Sequence, residues 1–187
     1  EGRVHELFRR LLDGELDCVF AAVTPELLSG DMLPLLRPEV LLGDELCVMA
    51  AASNRQAARR GLRWADLRGA PWVVPPKETL VRQAFMTAFL NDGATPPEPV
   101  VEVMSSVTIG AVLRMDPSLL CAVRLEQAID EIARGGVRRV SVAPVMGLPS
   151  FGLYTRSGRA DPPAVLRAFA EAVRQVGERL ASRRRPR

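Results

Sequence analysis

Histidine, cysteine and aromatic residues are scarce in this chain of 187 residues, which has one histidine, three cysteines and 5% aromatic residues. A single histidine, His5, cannot complete a Cys/His zinc pattern with cysteines as far apart as Cys18, Cys47 and Cys121. Few aromatics, with no arginines interleaved among them, argue against a surface that stacks single-stranded nucleic acid. The sequence therefore predicts no metal and no cofactor, and it assigns no role to His5.

Neither a long apolar run nor a common enzyme motif is present in the sequence. No run approaches the roughly 18 consecutive apolar residues of a membrane helix, and the first residues lack the charged–apolar–small pattern of a secretory leader. The G-x-S-x-G, G-x-G-x-x-G and P-loop patterns do not occur. A Ser–His–Asp arrangement would depend on His5, which is far in sequence from any serine at a strand-to-helix junction. We therefore predict a protein that is not an enzyme and that has no membrane partner.

The net charge of +3 at pH 7 is small, and much of it lies in the tail "RRRPR" at 183–187. Basic tails of this kind are usually solvated, so we predict no nucleic-acid binding by this chain itself. All three cysteines lie inside apolar runs, "LDCVF", "ELCVMA" and "SLLCAV". Their odd number and wide spacing predict buried, reduced thiols in a reducing compartment, which points to the cytoplasm.

Strand-like and helix-like segments alternate along the chain, and 48% hydrophobic residues are enough for one or two small domains with real cores. Apolar residues at helical spacing predict helices, and short apolar or alternating runs predict strands. The predicted helices cover residues 3–12, 80–92, 109–115 and 124–136, and a last segment that opens at 161–163. The predicted strands cover residues 16–23, 39–52, 72–75, 100–104, 118–123, 137–143 and 147–157.

This alternation predicts an α/β fold in which right-handed strand–helix–strand units build a mostly parallel sheet. A complete βαβαβ set lies between residues 72 and 143. The polar residues 43–45 interrupt the long strand-like segment 39–52 and are typical of a hinge. The simplest architecture is two α/β lobes, with the chain crossing twice between them. Ligands of such sheets bind outside the carboxyl ends of the strands.

The stretch "EVMSSVTIGAVLRM" at 102–115 places three hydroxyl residues, Ser105, Ser106 and Thr108, where a strand gives way to a helix. One interpretation is capping, because serine and threonine accept hydrogen bonds from the free N–H groups of a helix start. The other is a ligand seat, because a helix N-terminus presents N–H groups and a positive dipole end to an anion or polar molecule. The stretch by itself favours capping.

The order and spacing of several segments resemble the effector-binding domain of LysR-type transcriptional regulators. The segments are "LLDGELDCVFAA", "LLRPEVLLGDELCVMAAASNRQA", "LRWADLRGAPWVVPP" and "VVEVMSSVTIGAVL". They are similar, in that order, to four features of the family: its helix–Gly–Glu–Leu–Asp–strand segment, its crossover strand, the short helix and first strand of its second lobe, and its Ser/Thr-started helix. "PWVVPP" with "TLVR" resembles a subgroup linked to uptake or breakdown of sugars and aromatic acids.

The resemblance implies two Rossmann-like lobes joined by two crossover strands, as in a periplasmic binding protein. Lobe I would comprise residues 1–43 and 150–187, and lobe II residues 44–149. The family normally has a strand–helix–strand unit and a winged helix-turn-helix domain before the segment that opens here. We therefore expect an incomplete lobe I and no DNA-binding domain in this chain. Ser118 and Arg124 stand where the family has glycine and proline, so the loop around them departs from its pattern.

The resemblance also implies a function. A small-molecule effector, either an aromatic or other carboxylate or a sugar, would bind in the cleft between the lobes. Homodimers or homotetramers would contact promoter DNA through the separate N-terminal domain. The alternative is a periplasmic-type solute-binding protein for a small organic anion or sugar, which shares the two-lobe fold. The lone cysteines and the order of the segments favour the regulator.

Nine residues are candidates for effector binding by this resemblance, each with a structural alternative. They are Ser105, Ser106, Thr108, Pro75, Pro76, Thr79, Thr24, Arg3 and Arg124. The hydroxyl residues could instead cap helices, and the prolines could form a rigid turn. Arg3 and Arg124 could take a carboxylate bidentately, or they could be solvated surface arginines. Thr24 could be a plain loop residue before a proline.

Two apolar stripes of lobe I, Val4–Leu7–Leu11 and Leu166–Phe169–Val173–Val176, are expected to lose part of their cover in a truncated lobe. An exposed apolar surface of roughly a few hundred Å² is rare on a monomer. We therefore expect dimers or larger species that form through lobe I.

Overall fold

The computed structural model describes most of the chain, namely residues 3–23, 31–158 and 163–183. The chain folds into two compact units. Unit 1 consists of residues 1–43 and 149–187, and unit 2 consists of residues 44–148. Thr24, the predicted helix start at Asp161 and most of the basic tail lie outside the described residues.

Helices and strands alternate along the described residues, so the predicted α/β alternation is confirmed. The helices are α1 (Val4–Leu12), α2 (Leu80–Asn91), α3 (Ser106–Met115), α4 (Leu125–Ala133) and α5 (Ala164–Arg183). The strands are β1 (Val19–Ala22), β2 (Leu36–Ala51), β3 (Leu62–Arg63), β4 (Trp72–Val74), β5 (Val101–Glu102), β6 (Leu120–Arg124), β7 (Val137–Val140), β8 (Val142–Ala143) and β9 (Gly147–Arg156). Short 3₁₀ turns occupy Leu33–Leu35, Arg55–Ala58 and Trp64–Leu67.

Unit 1 packs α1 against a small sheet in which β1 pairs antiparallel with β9, and β9 neighbours β2. The helix predicted over residues 3–12 is confirmed as α1, which buries both Phe8 and Leu11. They share a core with Val19, Leu36 and Tyr154. The rings of Phe8 and Tyr154 meet edge to face with their centroids 5.0 Å apart, a favourable aromatic geometry.

The last helix, α5, buries Leu166 of its apolar stripe together with small residues, and it leaves the rest of the stripe partly exposed. Ala170 is buried, whereas Phe169 and Val176 are each 47% exposed. Gly177 brings the helix close to β2, because a Cβ at this position would lie 3.3 Å from the carbonyl oxygen of Leu41. The absence of a side chain at Gly177 therefore allows α5 to lie close to β2.

Unit 2 is built on a mixed sheet with the strand order β7–β2–β6–β4–β5. β4 pairs parallel with both β5 and β6, as the predicted βαβαβ set requires. β2 pairs antiparallel with β6 and with β7, so it lies between the last two strands of that set. A separate two-stranded sheet joins β3 and β8, which the sequence did not predict.

Helices cover both faces of the unit 2 sheet. On one face, α2 packs Phe85 and Phe89 against Trp72 of β4, with ring centroids 4.8 and 5.9 Å from the Trp72 ring. On the other face, α3 and α4 pack against a second cluster, in which Cys121 and Ile109 take part. Successive strand residues point to opposite faces, so β4 and β6 supply both cores, as expected of strands buried on both sides.

Strand boundaries and one cysteine differ from the sequence expectations. β2 begins earlier than predicted and continues through the polar residues 43–45 without a break. The predicted strand 100–104 shortens to Val101–Glu102, because β5 is the edge strand and has a neighbour on one side only. Cys47 and Cys121 are buried as predicted, whereas Cys18, just before β1, is only half-buried. All three thiols are free.

Candidate functional site

Three parallel strands of unit 2 end at the same edge of the sheet. β4 ends at Val74, and its neighbours β5 and β6 end at Glu102 and Arg124. The helix that follows β4 covers one face, while the helices that follow β5 and β6 cover the other face. The connections that leave β4 and its two neighbours therefore pass on opposite faces of the sheet. Ligands of α/β sheets bind at such a point. We call residues 75–79, 103–108 and 124 the carboxyl edge.

The segment after β4 forms a rigid turn that caps α2. Pro75 is buried and Pro76 is half-buried. The Thr79 hydroxyl oxygen accepts a hydrogen bond from the Arg82 N–H at 3.2 Å, and the hydroxyl donates to the Pro76 carbonyl at 2.8 Å. The predicted turn and N-cap are confirmed, and the free N–H groups of the first turn of α2 point towards the carboxyl edge.

The segment after β5 caps α3 in the same way. The Ser105 hydroxyl accepts a hydrogen bond from the Thr108 N–H at 3.4 Å, and the Ser105 carbonyl accepts one from the Ile109 N–H at 3.0 Å. Ser105 and Thr108 are both exposed. Capping is therefore confirmed for Ser105. Within the described part of the chain, the Thr108 hydroxyl makes no hydrogen bond. Ser106 is the first residue of α3, so its backbone also lies at this edge.

Arg124 ends β6 and precedes α4, and its guanidinium pairs with the carboxylate of Asp44 in β2. The Asp44 side chain is fully enclosed, whereas the Arg124 side chain is 20% exposed. Asp44, one of the polar residues 43–45 that interrupt the strand-like segment, is therefore not solvated. The pattern that could have shown this is the alternation of Leu42, Asp44 and Leu46, which places the aspartate on the buried face of its strand.

Arg3 belongs to unit 1. It is exposed and stands at the N-cap position of α1, where its carbonyl accepts a hydrogen bond from the Leu7 N–H at 3.0 Å. The structure thus brings seven of the nine predicted residues to one edge of unit 2. Those seven are Pro75, Pro76, Thr79, Ser105, Ser106, Thr108 and Arg124.

Arg82 is a residue of this region that sequence reasoning missed. Its side chain is only 4% exposed, and its Nη1 donates to the Glu102 carboxylate at 3.0 Å. The same nitrogen lies 3.5 Å from the carbonyl oxygen of Pro75. A signal was present, because Arg82 precedes Phe85 and Phe89 by three and seven residues and so lies on their buried helical face.

Cavity size does not identify this region. A cavity of about 760 Å³ lies in unit 1 between α5 and the sheet, where Arg37, Arg156 and Glu171 are among its lining residues. Another of about 460 Å³ lies in unit 2 beside Pro71 and Pro117, which precede β4 and β6. That position is the amino edge of the sheet, opposite the predicted residues. The candidate site therefore rests on strand ends, helix starts and side-chain chemistry.

Neither a metal site nor a membrane-spanning helix is found in the described ranges. Residues 3–23, 31–158 and 163–183 contain no group of three or more His, Cys, Asp or Glu side chains that could hold a metal ion. Over the same ranges, no helix has the length and apolarity needed to cross a membrane.

Comparison with known proteins gives consistent results for sequence and structure. The model of the LysR substrate binding domain matches residues 1–178. The HTH-type transcriptional regulator GalR of Pseudomonas putida is 31% identical over 164 residues, which are 87% of this chain and 39% of GalR. The chain thus spans well under half the length of this curated relative.

Solved structures share the fold at low sequence identity. The regulatory domain of Synechocystis PCC6803 CcmR, in complex with 2-PG, matches with a TM-score of 0.72 and 14% identity, over 92% of this chain and 79% of that one. The effector-binding domain of QuiR, in complex with shikimate, matches with a TM-score of 0.67 and 13% identity, over 95% and 79%. These likenesses show the predicted α/β fold of the periplasmic-binding-protein type. Because the family model also matches nearly the whole sequence, the chain belongs to the LysR substrate-binding domain family.

Proposed function

We propose that this chain is the effector-sensing domain of a bacterial LysR-type transcriptional regulator, and that its effector binds at the carboxyl edge of unit 2. The observation that carries the proposal is the meeting of seven predicted residues at the ends of three parallel strands. The chain would bind a small molecule there and would not transform it, so the proposal assigns it no catalysis.

The chemistry of the edge favours an anionic or polar effector. α2 and α3 both begin there, and each start carries a capping hydroxyl from Thr79 or Ser105. Helix starts supply free N–H groups and a positive dipole end, which favour negative charge by roughly 0.3–1 kcal/mol at exposed sites. An aromatic or other carboxylate, or a sugar, fits these donors. The CcmR complex with 2-PG and the QuiR complex with shikimate show that related folds hold small molecules.

The partners of the proposed sensor follow from the family. The related GalR is named an HTH-type regulator, so we propose that promoter DNA is contacted by a helix-turn-helix segment and not by this domain. Homodimers or homotetramers would carry the signal. In unit 1, Phe20 of β1 and Phe169 and Val176 of α5 are each 47% exposed, and they offer an apolar surface for the association expected of lobe I. We place the protein in the cytoplasm, where its three free thiols would stay reduced.

Calorimetric titration of the chain with three charged probes and their uncharged counterparts tests the proposal. The pairs are shikimate and methyl shikimate, benzoate and benzamide, and gluconate and glucose. Thr108→Val exchanges an exposed hydroxyl for a methyl group, so the melting temperature should stay the same while the affinity for the bound probe falls about tenfold, or roughly 1.4 kcal/mol. Ser105→Ala should cost about 1 kcal/mol of stability through loss of the cap.

Thr87→Val is the matched control, because Thr87 is an exposed helical threonine in α2 whose hydroxyl donates within its own helix, to the Gln83 carbonyl at 2.9 Å. It should leave the affinity unchanged. Equal affinities of the wild type, Thr108→Val and Ser105→Ala would mean that Ser105 only caps α3 and that the Thr108 hydroxyl does not bind the effector. Failure of all six probes to bind would contradict the proposed ligand classes.

A further inference from the structure

Arg82 is a buried cation at the proposed effector site, although it was not among the predicted residues. It lies in the first turn of α2, three residues after the N-cap Thr79. Its side chain is 4% exposed, and arginine stays ionised at any ordinary pH. A full positive charge is therefore enclosed directly behind the carboxyl edge.

The guanidinium joins the ends of two strands. Nη1 donates to Oε1 of Glu102, the last residue of β5, at 3.0 Å. It also lies 3.5 Å from the carbonyl oxygen of Pro75, the residue after β4. β4 and β5 are paired here, because Val74 is the register partner of Glu102. Arg82 thus spans the point from which both segments of the carboxyl edge depart.

The hydrogen bonds of Arg82 do not fully compensate for the burial of its charge, so a contribution to stability alone does not explain why the side chain is buried. The guanidinium has five N–H donors. Nη2 is 4.0 Å from a carboxylate oxygen of Glu98, whose side chain is 91% exposed, so this contact contributes little. Among the described residues, Nε is buried without a hydrogen-bond partner. The Glu102 side chain is 42% exposed, so only the arginine of this pair is enclosed. Enclosing a charge carries a desolvation cost that one half-exposed partner offsets only in part, and an unsatisfied donor adds to that cost.

We propose that Arg82 is a positioning residue of the effector site. It fixes the separation between the end of β5 and the segment after β4, and thereby orients Thr79 and Ser105 towards one ligand. The guanidinium itself is enclosed, so it acts through these segments and not by contact with the effector. This inference rests on the proposed function, because it deepens the description of the same site.

Amide hydrogen exchange on the full chain tests the positioning without any ligand. In Arg82→Met, which keeps most of the volume and removes the charge and its donors, the amides of Thr79 and Val103 should exchange at least tenfold faster. These amides donate to Pro76 and Val74 in the wild type, at 3.1 and 3.0 Å. The amide of Ala57, at the opposite edge, should not change. Unchanged exchange at Thr79 and Val103 would overturn the inference.

Titration with the three charged probes then links the positioning to binding. Arg82→Met should lower the affinity for the bound probe at least fivefold, while the melting temperature stays the same or rises. Arg82→Lys, which keeps the charge and can reach one partner, should recover part of the affinity. The control Arg63→Met breaks the pair of Arg63 with Asp92 elsewhere in unit 2, and it should leave the affinity unchanged.

The outcomes separate this inference from the proposed function. Unchanged affinity in Arg82→Met would overturn the positioning role, whatever the exchange rates show. Binding of no probe to the wild type would count against the proposed function, and the exchange data would then decide the positioning of the two segments by themselves. If Arg82→Met does not fold, Glu102→Gln takes its place, since Glu102 is partly exposed and glutamine keeps an acceptor oxygen. The same amides should then exchange two- to threefold faster, and unchanged rates would overturn the inference.

Discussion

Unit 2 and unit 1 differ in how their sheets are covered. In unit 2, helices cover both faces of the sheet, and two separate clusters of buried residues result. In unit 1, the described residues form one smaller cluster around α1, and Phe20, Phe169 and Val176 stay about half exposed. The candidate site therefore lies on unit 2, which has the larger and more completely packed framework. Binding groups held by such a framework keep their geometry better than groups on loosely packed elements.

The largest expected effect contrasts a core ring of unit 2 with an exposed ring of unit 1. Phe85 is fully buried between α2 and the sheet, so Phe85→Ala should lower the free energy of unfolding by about 3–5 kcal/mol. Phe169 on α5 is 47% exposed, so Phe169→Ala should cost less than about 1 kcal/mol. Denaturant unfolding measures both. Equal losses would show that α5 is covered in solution and would remove the contrast.

The next effect concerns a close helix contact inside unit 2. A Cβ at Gly110 of α3 would overlap Oε2 of Glu131, a fully buried carboxylate of α4 that pairs with Arg114 and Arg134. Gly110→Ala should therefore displace this carboxylate and cost about 3 kcal/mol, the lower end for breaking a buried ion pair. Gly69→Ala is the control, because no atom lies within 4 Å of its Cβ position. A stable Gly110→Ala variant would mean that α3 and α4 can separate easily.

Cysteine reactivity compares the two units with native probes. Burial raises the pKa of Cys47 to about 12 and raises that of Cys121 as well, both in unit 2. Burial and the neighbouring Asp17 also raise the pKa of Cys18, but that thiol is only half enclosed. At pH 8, iodoacetamide should modify Cys18 about 100-fold faster than the other two. Peptide mass spectrometry measures the rates, and similar rates for all three thiols would show that unit 2 opens as readily as unit 1.

The smallest effect is an acid-sensitive contribution in unit 2. A hydrogen bond from Arg63 is the main cause of a lowered pKa of Asp92, and a second hydrogen bond from the Ala65 N–H lowers that pKa further. Its folded pKa therefore lies below the unfolded value of about 3.9, so its stabilisation is present above about pH 4 and is lost as the pH falls through the folded pKa. Asp92→Asn should flatten the stability curve in that range. An unchanged acid limb between wild type and variant would assign the acid sensitivity to other carboxyl groups.

Local sequence patterns predicted the elements that depend on near neighbours. Apolar spacing predicted the helix α1, and the hydroxyls of Thr79 and Ser105 indicated two helix starts. Because the carboxyl ends of parallel strands lie at one edge of a sheet, the ends of β4, β5 and β6 could be expected to lie close together. Together with the resemblance to LysR-type effector-binding domains, which named the candidate residues, this is why most of the candidate site could be predicted from the sequence.

Contacts between distant residues could not be predicted in this way. The pair of Asp44 and Arg124 joins residues 80 positions apart, and neither side chain signals its partner. The close approach of Gly110 to Glu131 depends on how α3 and α4 pack. The burial of Arg82 depends on the carboxylate of Glu102, which lies on another strand. Each of these contacts needs tertiary packing, which a single sequence does not specify.

A chemical-shift titration of the ¹⁵N-labelled chain with the three charged probes tests the location of the effector site most directly. We predict that the bound probe shifts the amides at 77–80, 105–109 and 124–125, around the carboxyl edge of unit 2. Shifts confined to 153–156 and 166–174 would place the ligand in the unit 1 cavity. Shifts confined to 53–56 and 118 would place it at the amino edge of unit 2, and either result would contradict the account.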